Sequence, residues 1–559
     1  MIALVIFNRN KNKQNSDTLL HNTKHSNINY LFKKESIHDT LNTNEELIQI
    51  GNVNSPILKE GNITSNNGEF SFGKYIFSTK KFIGYRDKIG VKPFFYANTK
   101  DLFVYSTSIK TIKKIIETTS INYEYIERVL MGIPPLKHET FYNEIKRLPP
   151  AHELIYLNNE IIIQKYWSPK PLINATQDLF NQLLHKAIKI RKMNVAGSEL
   201  SGGIDSSGIS GILAQQQPIL HSFSHVMHNS FSKRISPFED EREFSQKQIN
   251  FSKNISIHNI DALNKGIINE LIQEIKVIGS PFFSSMSLFS EELYDTAKGV
   301  GVDVLFSGFG GDELVSSNSS YLINELLQNK ELNKVRYITN TNFLTIQNLK
   351  YITRAYFPYF IARNTWKKKQ LENHLFIKNI NIKEILREST TYKNLNEFLI
   401  SKIQGNTLLT RLEENGISLR ARGIEYTYPL LDVDLIECFL GLPNEIKYNH
   451  KLPRLVYRNA IKPYVPKEIY SRDNKTRATV PTVFYRFIND YDKILSILNK
   501  YKNGKASKFL NIPKMILQLE IIRKKAIGET INKRIDLRIF IIGLQMILYF
   551  DMDVLDDFK

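Results

Sequence analysis

Asn194-Val195-Ala196-Gly197-Ser198-Glu199-Leu200-Ser201-Gly202-Gly203-Ile204-Asp205-Ser206-Ser207 is the stretch around which this chain is organised. A short apolar segment, Val195 to Leu200, runs into two glycines, a carboxylate and two hydroxyls, and a helix-like Ile209 to Gln217 follows. A strand, an anion-binding turn and a helix start look like this in sequence. Glycines let backbone N–H groups approach a phosphate closely, the helix start adds positive potential, and the hydroxyls donate further hydrogen bonds. Ser201, Gly202, Gly203, Ser206 and Ser207 therefore read as a pyrophosphate cradle. The Lys that a Walker loop carries after its second glycine is absent, and Asp205 stands in the turn instead. An aspartate beside phosphates usually holds magnesium.

Working outward, helices and strands alternate from about Thr176. Leu179, Phe180, Leu183, Leu184, Ala187, Ile188 and Ile190 recur at helical spacing before the strand Val195 to Leu200. Helix Ile209 to Gln217, strand Ile219 to Ser224, helix Asp240 to Asn250 and strand Ile255 to Ile260 are expected next, with Asp240 and Glu243 as a helix start. Helices over roughly Asn264 to Ile278 and Phe289 to Lys298 precede a last strand, Val302 to Phe306. This alternation specifies an α/β fold, a parallel sheet flanked by helices with ligands at the carboxyl ends of its strands. The last strand runs into Ser307-Gly308-Phe309-Gly310-Gly311-Asp312-Glu313-Leu314, a second glycine-rich turn with a carboxylate. Both turns open at the same edge, so Ser307 and Gly308 join the cradle, and Asp205 and Asp312 can share magnesium bound to ATP. His221, His225 and His228 do not make a zinc site on a straight strand: the first two stand about 13 Å apart and the third faces the other way.

The 559 residues exceed the roughly 250 to 300 at which a single core stops growing, so two or three domains are expected. A net charge of +19 favours anionic ligands, but the lysines are dispersed, and Trp366-Lys367-Lys368-Lys369 reads as a solvated helix face rather than a nucleic-acid patch. No nucleic-acid or membrane partner is expected. The one cysteine, Cys438, excludes a disulfide framework and a cysteine zinc site. The apolar start Ile2 to Phe7 is a strand, too short for a signal peptide or a span, and the expected location is cytoplasmic.

The first 165 residues look β-rich, with short apolar runs such as Phe70 to Phe77 and Glu153 to Leu157, and with loose polar loops expected over residues 8 to 66. Within them, Arg86-Asp87-Lys88-Ile89-Gly90-Val91-Lys92-Pro93-Phe94-Phe95-Tyr96 resembles the Arg-Asp-x-x-Gly-x-Lys-Pro-x-x-Tyr segment of the glutaminase domain of class B asparagine synthetases. In that family the domain is an N-terminal-nucleophile (Ntn) amidotransferase whose second residue is cysteine. Here position 2 is Ile2, which cannot form a thioester, so an inactive amidotransferase-like domain is expected over 1–165. Tyr166-Trp167 marks the hinge into an ATP-pyrophosphatase domain over 176–559 with a helical C-terminal part.

The two glycine turns are similar to those of the synthetase domain of the same family. So are Pro281, the segment Glu425-Tyr426-Thr427-Tyr428-Pro429-Leu430-Leu431-Asp432, and the basic residues Lys451, Arg454, Arg458, Arg472 and Lys475. The resemblance implies adenylation: a carboxylate attacks the α-phosphate of ATP, pyrophosphate leaves, and an amine displaces AMP to give an amide. Carried over, Ser201, Gly202, Gly203, Ser206 and Ser207 hold pyrophosphate, Asp205 and Asp312 hold magnesium, and Lys475 neutralises transition-state charge, with Arg472 or Arg477 as substitutes. Glu425 lies near the acyl centre and orients or deprotonates the amine. Two departures stand out. Phe309 occupies the place of a glutamate in asparagine synthetases and a tyrosine in β-lactam synthetases, and Thr427 that of an arginine. A missing base suggests a larger amine brought by its own binding energy.

Ser198-Glu199-Leu200, Gly310-Gly311-Asp312 and the helical stretch Pro513 to Phe558 resemble lasso-peptide macrolactam synthetases. That branch implies a precursor peptide whose Asp or Glu side chain joins its N-terminal amine, with a leader-peptide-binding protein and a leader peptidase as partners. Alternatives are a β-lactam-type or ammonia-dependent synthetase acting on a small carboxylate, and a nucleotide- or peptide-binding pseudoenzyme.

Overall fold

The computed structural model describes residues 2–7, 21–22, 28–32, 39–43, 47–53, 58–59, 62–63, 67–191, 193–228, 242–284, 288–317, 321–339, 392, 394–447, 454–472, 483–526 and 537–555. Asp240, 366–369, Lys451, Lys475 and Arg477 lie outside them.

The N-terminal part is two antiparallel sheets. Its strands are β1 (Ile2–Phe7), β2 (His21–Asn22), β3 (Ile28–Phe32), β4 (Asp39–Thr43), β5 (Leu47–Val53), β6 (Leu58–Lys59), β7 (Asn62–Ile63), β8 (Phe70–Ile76), β9 (Lys81–Arg86), β10 (Phe95–Asn98), β11 (Leu102–Ser106), β12 (Ile145–Arg147), β13 (His152–Leu157) and β14 (Glu160–Lys165). One sheet runs β12-β10-β11-β1-β3-β2 and the other β14-β13-β9-β8-β5-β4, with β6 and β7 as a separate pair. Period-2 alternation sorts the side chains. Leu4, Ile6, Phe103 and Tyr105 meet Tyr75, Phe82, Leu154 and Tyr156 between the sheets, while Val5 and Val104 face helices.

The expectation of loose loops over 8–66 is corrected in part. β3, β4 and β5 are strands, with β5 in register on β8 from Leu47↔Ile76 to Val53↔Phe70. β4 is polar and the apolar residues of β3 and β5 are broken by Asn29, Gln49, Gly51 and Asn52, so the local pattern is weak, and pairing with β1 and β8 supplies what it lacks.

The second part carries β15 (Ala196–Glu199), β16 (Leu220–His225), β17 (Ile255–Ile260), β18 (Val304–Phe306) and β19 (Glu425–Thr427) in a parallel sheet of order β17-β16-β15-β18-β19. The expected last strand, β18, is thus followed by a fifth. Helix Ile204–Ala214 starts five residues earlier than the expected Ile209, with Gly203 as its extended N-cap, which places Asp205, Ser206 and Ser207 in its first turn. Sequence periodicity misses this start because glycine, serine and aspartate are weak helix formers, favoured at helix beginnings.

Buried charge joins the two parts. Asp87 closes its own loop by accepting from the amides of Ile89 (3.1 Å), Val91 (3.0 Å) and Lys92 (2.9 Å). Arg86 donates to Leu148 O (2.8 Å) and pairs with Glu413 at 2.7 Å, and Arg147 reaches the same carboxylate at 2.7 Å. Glu69 pairs with Arg191 at 3.0 Å and accepts from Thr427 Oγ1 at 2.8 Å. The segment Arg86 to Lys92 therefore serves here as a clamp on helix Asn406–Arg420 and on β19.

Candidate functional site

The first turn is built for close approach. Gly202 has φ +82, a conformation that strains any side chain, and Ser206 Oγ accepts from the Ser201 amide at 3.2 Å while the Gly203 amide donates to Ser201 Oγ at 3.3 Å. Helix Ile204–Ala214 begins directly behind it, so the first-turn N–H groups and the positive end of the dipole face the turn. Ser207 Oγ is buried and has no hydrogen-bond partner among the described residues.

The second turn lies against the first. A methyl group at Gly308 would stand 2.7 Å from the Ser206 amide nitrogen, and one at Gly311 would stand 2.8 Å from Asp205 Cγ. Only glycine permits that contact. The structure therefore brings together Ser201, Gly202, Gly203, Asp205, Ser206, Ser207, Ser307, Gly308 and Asp312. Arg454, in left-handed backbone (φ 66) at the start of helix Leu455–Ile461, donates to Asp205 Oδ2 at 3.1 Å and also pairs with Asp312. One cation thus spans both carboxylates, and two hard oxygen donors converging on a phosphate cradle fit magnesium. Tyr457 OH, donating to Asp205 O at 3.1 Å, ties the same helix to the cradle.

Glu425 stands apart from these residues. It opens β19 opposite Val304, three residues before the level of Ser307, so at about 3.3 Å per residue it sits roughly 10 Å below the carboxyl edge. Its buried carboxylate is held by Lys92 and by Arg420 (3.5 Å). A side chain held between two cations at the start of its strand anchors the N-terminal part to β19.

Other residues line the edge. Glu199 ends β15 and accepts from Ser307 Oγ at 2.6 Å and from the Tyr426 hydroxyl, and Ser307 Oγ in turn accepts from the Phe309 amide at 3.2 Å. A charged residue inside an apolar strand run is the signal that could have singled Glu199 out. Phe309 meets Tyr428 edge-on at 5.9 Å, and the guanidinium of Arg411 lies 3.7 Å from its ring centroid. Arg411 carried no mark in the sequence, because only the packing of helix Asn406–Arg420 against the turn brings it there.

The three histidines separate. His221 Nδ1 lies 3.1 Å from His258 Nε2, while His225 is half-buried at the end of β16 with Nε2 3.5 Å from Ser290 Oγ. Burial, with Arg486 adding to it, pushes the His225 imidazole down from 6.5 to about 4. The unfolded chain therefore binds a proton that the folded one refuses between those values. The stability contributed by neutral His225 is full above pH 6.5 and is lost as the pH falls towards 4, by up to about 3 kcal/mol. The variant His225→Phe should lose less urea stability than the wild type between about pH 7.5 and 5; equal losses would exclude this origin.

The fold and site define an α/β protein with a two-sheet N-terminal part and a parallel-sheet part whose edge carries paired glycine turns. Residues 179–512 match the family model described as asparagine synthase, and residues 59–167 match the glutamine amidotransferase domain. The first match covers more than half of the chain, which belongs to the asparagine synthase family. A Methanocaldococcus jannaschii protein named as a glutamine-hydrolysing asparagine synthetase 2 is 27% identical over 273 residues, covering 46% of this chain and 50% of that protein. Asparagine synthetase 2 of Bacillus subtilis is 22% identical over 70% of this chain and 53% of its own length. Amidase chyE of Penicillium rubens is 23% identical over 73% and 69%. The chain thus spans about half the length of the first two relatives. A solved structure described as the allosteric regulatory enzyme of purine biosynthesis aligns at a TM-score of 0.19, 9% identity and 46% of this chain against 74% of that one, too low to bear on the argument.

Proposed function

We propose that the chain is an ATP-dependent carbon–nitrogen ligase, which adenylates a carboxylate and transfers the acyl group to an amine with release of pyrophosphate and AMP. One observation carries this reading: two glycine turns in contact, with Asp205 and Asp312 close enough to share one guanidinium. Membership of the asparagine synthase family supports it. In this reading Ser201, Gly202, Gly203, Ser206, Ser207, Ser307 and Gly308 bind the β- and γ-phosphates through amide and hydroxyl hydrogens. Asp205 and Asp312 hold magnesium, which when bound neutralises charge on the leaving pyrophosphate. Lys475, outside the described residues, keeps its proposed place as the charge-neutralising cation.

The acyl acceptor is proposed to be the N-terminal amine of a lasso precursor peptide, closing a macrolactam on its own Asp or Glu side chain. Phe309 supports this, because an apolar ring at the turn cannot deprotonate ammonia and leaves selection of the amine to binding. The N-terminal part is proposed to be a clamp and not a working glutaminase. The one cysteine of the sequence, Cys438, is buried in helix Val433–Gly441, with burial pushing its thiol up to about 11. Action on a small carboxylate is the second reading, favoured by the names of the relatives above. Among the described residues no helix is long and apolar enough to cross a membrane, and a cytoplasmic location is proposed.

The test is exchange of labelled pyrophosphate into ATP with L-aspartate, L-glutamate and short free-amine peptides carrying one Asp or Glu. Exchange with peptides alone supports macrolactam closure, and exchange with the amino acids supports the second reading. Nucleotide binding without exchange on any of them would mean a pseudoenzyme.

A further inference from the structure

Arg411 lies in the first turns of helix Asn406–Arg420, half-buried, with its guanidinium carbon 3.7 Å from the Phe309 ring centroid. Phe309 follows Gly308, whose Cα is packed on the Ser206 amide, so this platform adjoins the phosphate cradle. The contact holds the guanidinium carbon over the ring face and leaves its N–H groups to bond a ligand. Arg411 Nε is buried and has no hydrogen-bond partner among the described residues, and no ion pair among them includes Arg411. The acid nearest in the turn, Glu313, is itself shielded, with burial raising its pKa against the pull of Arg411, and its Oε2 also has no partner there.

A guanidinium nitrogen that is shielded and has no acceptor, as Arg411 Nε is, is costly to keep, and the ligand that satisfies the planar fork is a carboxylate or a phosphate. In the adenylation reading the phosphates are bound by the two turns, and Arg454 is already paired with both carboxylates of the proposed metal site. The remaining anion at this edge is the acyl donor.

We propose that Arg411, held over the ring of Phe309, binds the carboxylate that is to be adenylated and so makes the site specific for an ionised side-chain carboxylate. This rests on the adenylation reading above. One carboxylate oxygen forms the bond to the α-phosphorus of ATP as the bond from that phosphorus to the bridging oxygen breaks. Pyrophosphate leaves with the electron pair, and the other carboxylate oxygen stays on the guanidinium. Phe309 is the positioning residue: its face sets the direction of the fork.

The experiment measures pyrophosphate exchange on the full chain for wild type, Arg411→Ala, Arg411→Lys and Phe309→Ala, varying ATP and then the best carboxylate probe among L-aspartate, L-glutamate and single-acid free-amine peptides. Arg411→Ala should raise KM for the carboxylate at least about tenfold while KM for ATP stays within about twofold. Arg411→Lys, which keeps charge but loses the flat fork, should fall between. An unchanged carboxylate KM in Arg411→Ala overturns the proposal and leaves adenylation intact. So does a parallel rise of both KM values with a lower Tm, which marks a structural prop. A wild type that binds a non-hydrolysable ATP analogue with magnesium yet exchanges with no probe overturns adenylation itself, and this assignment with it.

Discussion

Asp205→Asn is expected to lower pyrophosphate exchange by about a thousandfold, because the amide keeps the shape of the side chain and removes a charged ligand from magnesium. That loss amounts to several kcal/mol at the leaving pyrophosphate. Asp205 sits in the first turn of helix Ile204–Ala214, where a neighbouring methyl at Gly311 would already crowd its carboxyl group, so it has little freedom to be replaced by a nearby acid. Asp312→Asn should act in the same direction, and the double variant should lose less than the product of the two, since both carboxylates serve one cation. Folding is monitored by Tm and by binding of a non-hydrolysable ATP analogue. Full exchange in Asp205→Asn would remove this residue from the metal site.

The second large effect concerns stability. Glu413 is buried between Arg86 and Arg147, both at 2.7 Å, and Glu413→Ala strands two guanidinium groups in the interior. Removal of one side of such a cluster costs about 3 to 5 kcal/mol, read as a fall in the urea midpoint of the full chain. Replacing all three together, Arg86→Met, Arg147→Met and Glu413→Leu, should recover part of that loss, because the three charges leave together and only the weaker pull of the arginines on Asp87 and Glu414 is given up. The neighbouring Glu414 accepts the amides of Phe283 (2.7 Å) and Ser284 (2.6 Å), so the single variant should also disturb the loop after Pro281. A loss below about 1 kcal/mol in Glu413→Ala would show that the clamp between the two parts is not energetically coupled to the rest.

Legibility from sequence followed range. Strand, glycine turn and helix around Ser201 to Ser207 are local, and glycine, serine and aspartate at set offsets announce them without neighbours. The same holds for Ser307 to Asp312 and for the alternation that makes the sheet parallel. β19 was not legible, being three residues long and recognised as a strand only by its register on β18. The place of Glu425 at the start of β19 was hidden for that reason: a local resemblance says nothing about register on a neighbouring strand. The strands within 28–53 were obscured because they are short and set among Asn- and Lys-rich segments, and β4 has only one apolar residue, so the alternation that backbone pairing enforces does not show locally.

By itself the sequence determined the class of fold, the two glycine-rich turns and the acids that accompany them, since each depends on residues within a few positions of one another. Only the tertiary structure decided that Arg454 spans Asp205 and Asp312, that Glu425 belongs to the joint between the two parts, and that Arg411 lies on Phe309. These are contacts between groups far apart along the chain, and charge or aromaticity names a partner type without naming the partner. Packing of helices on a shared sheet edge selects it.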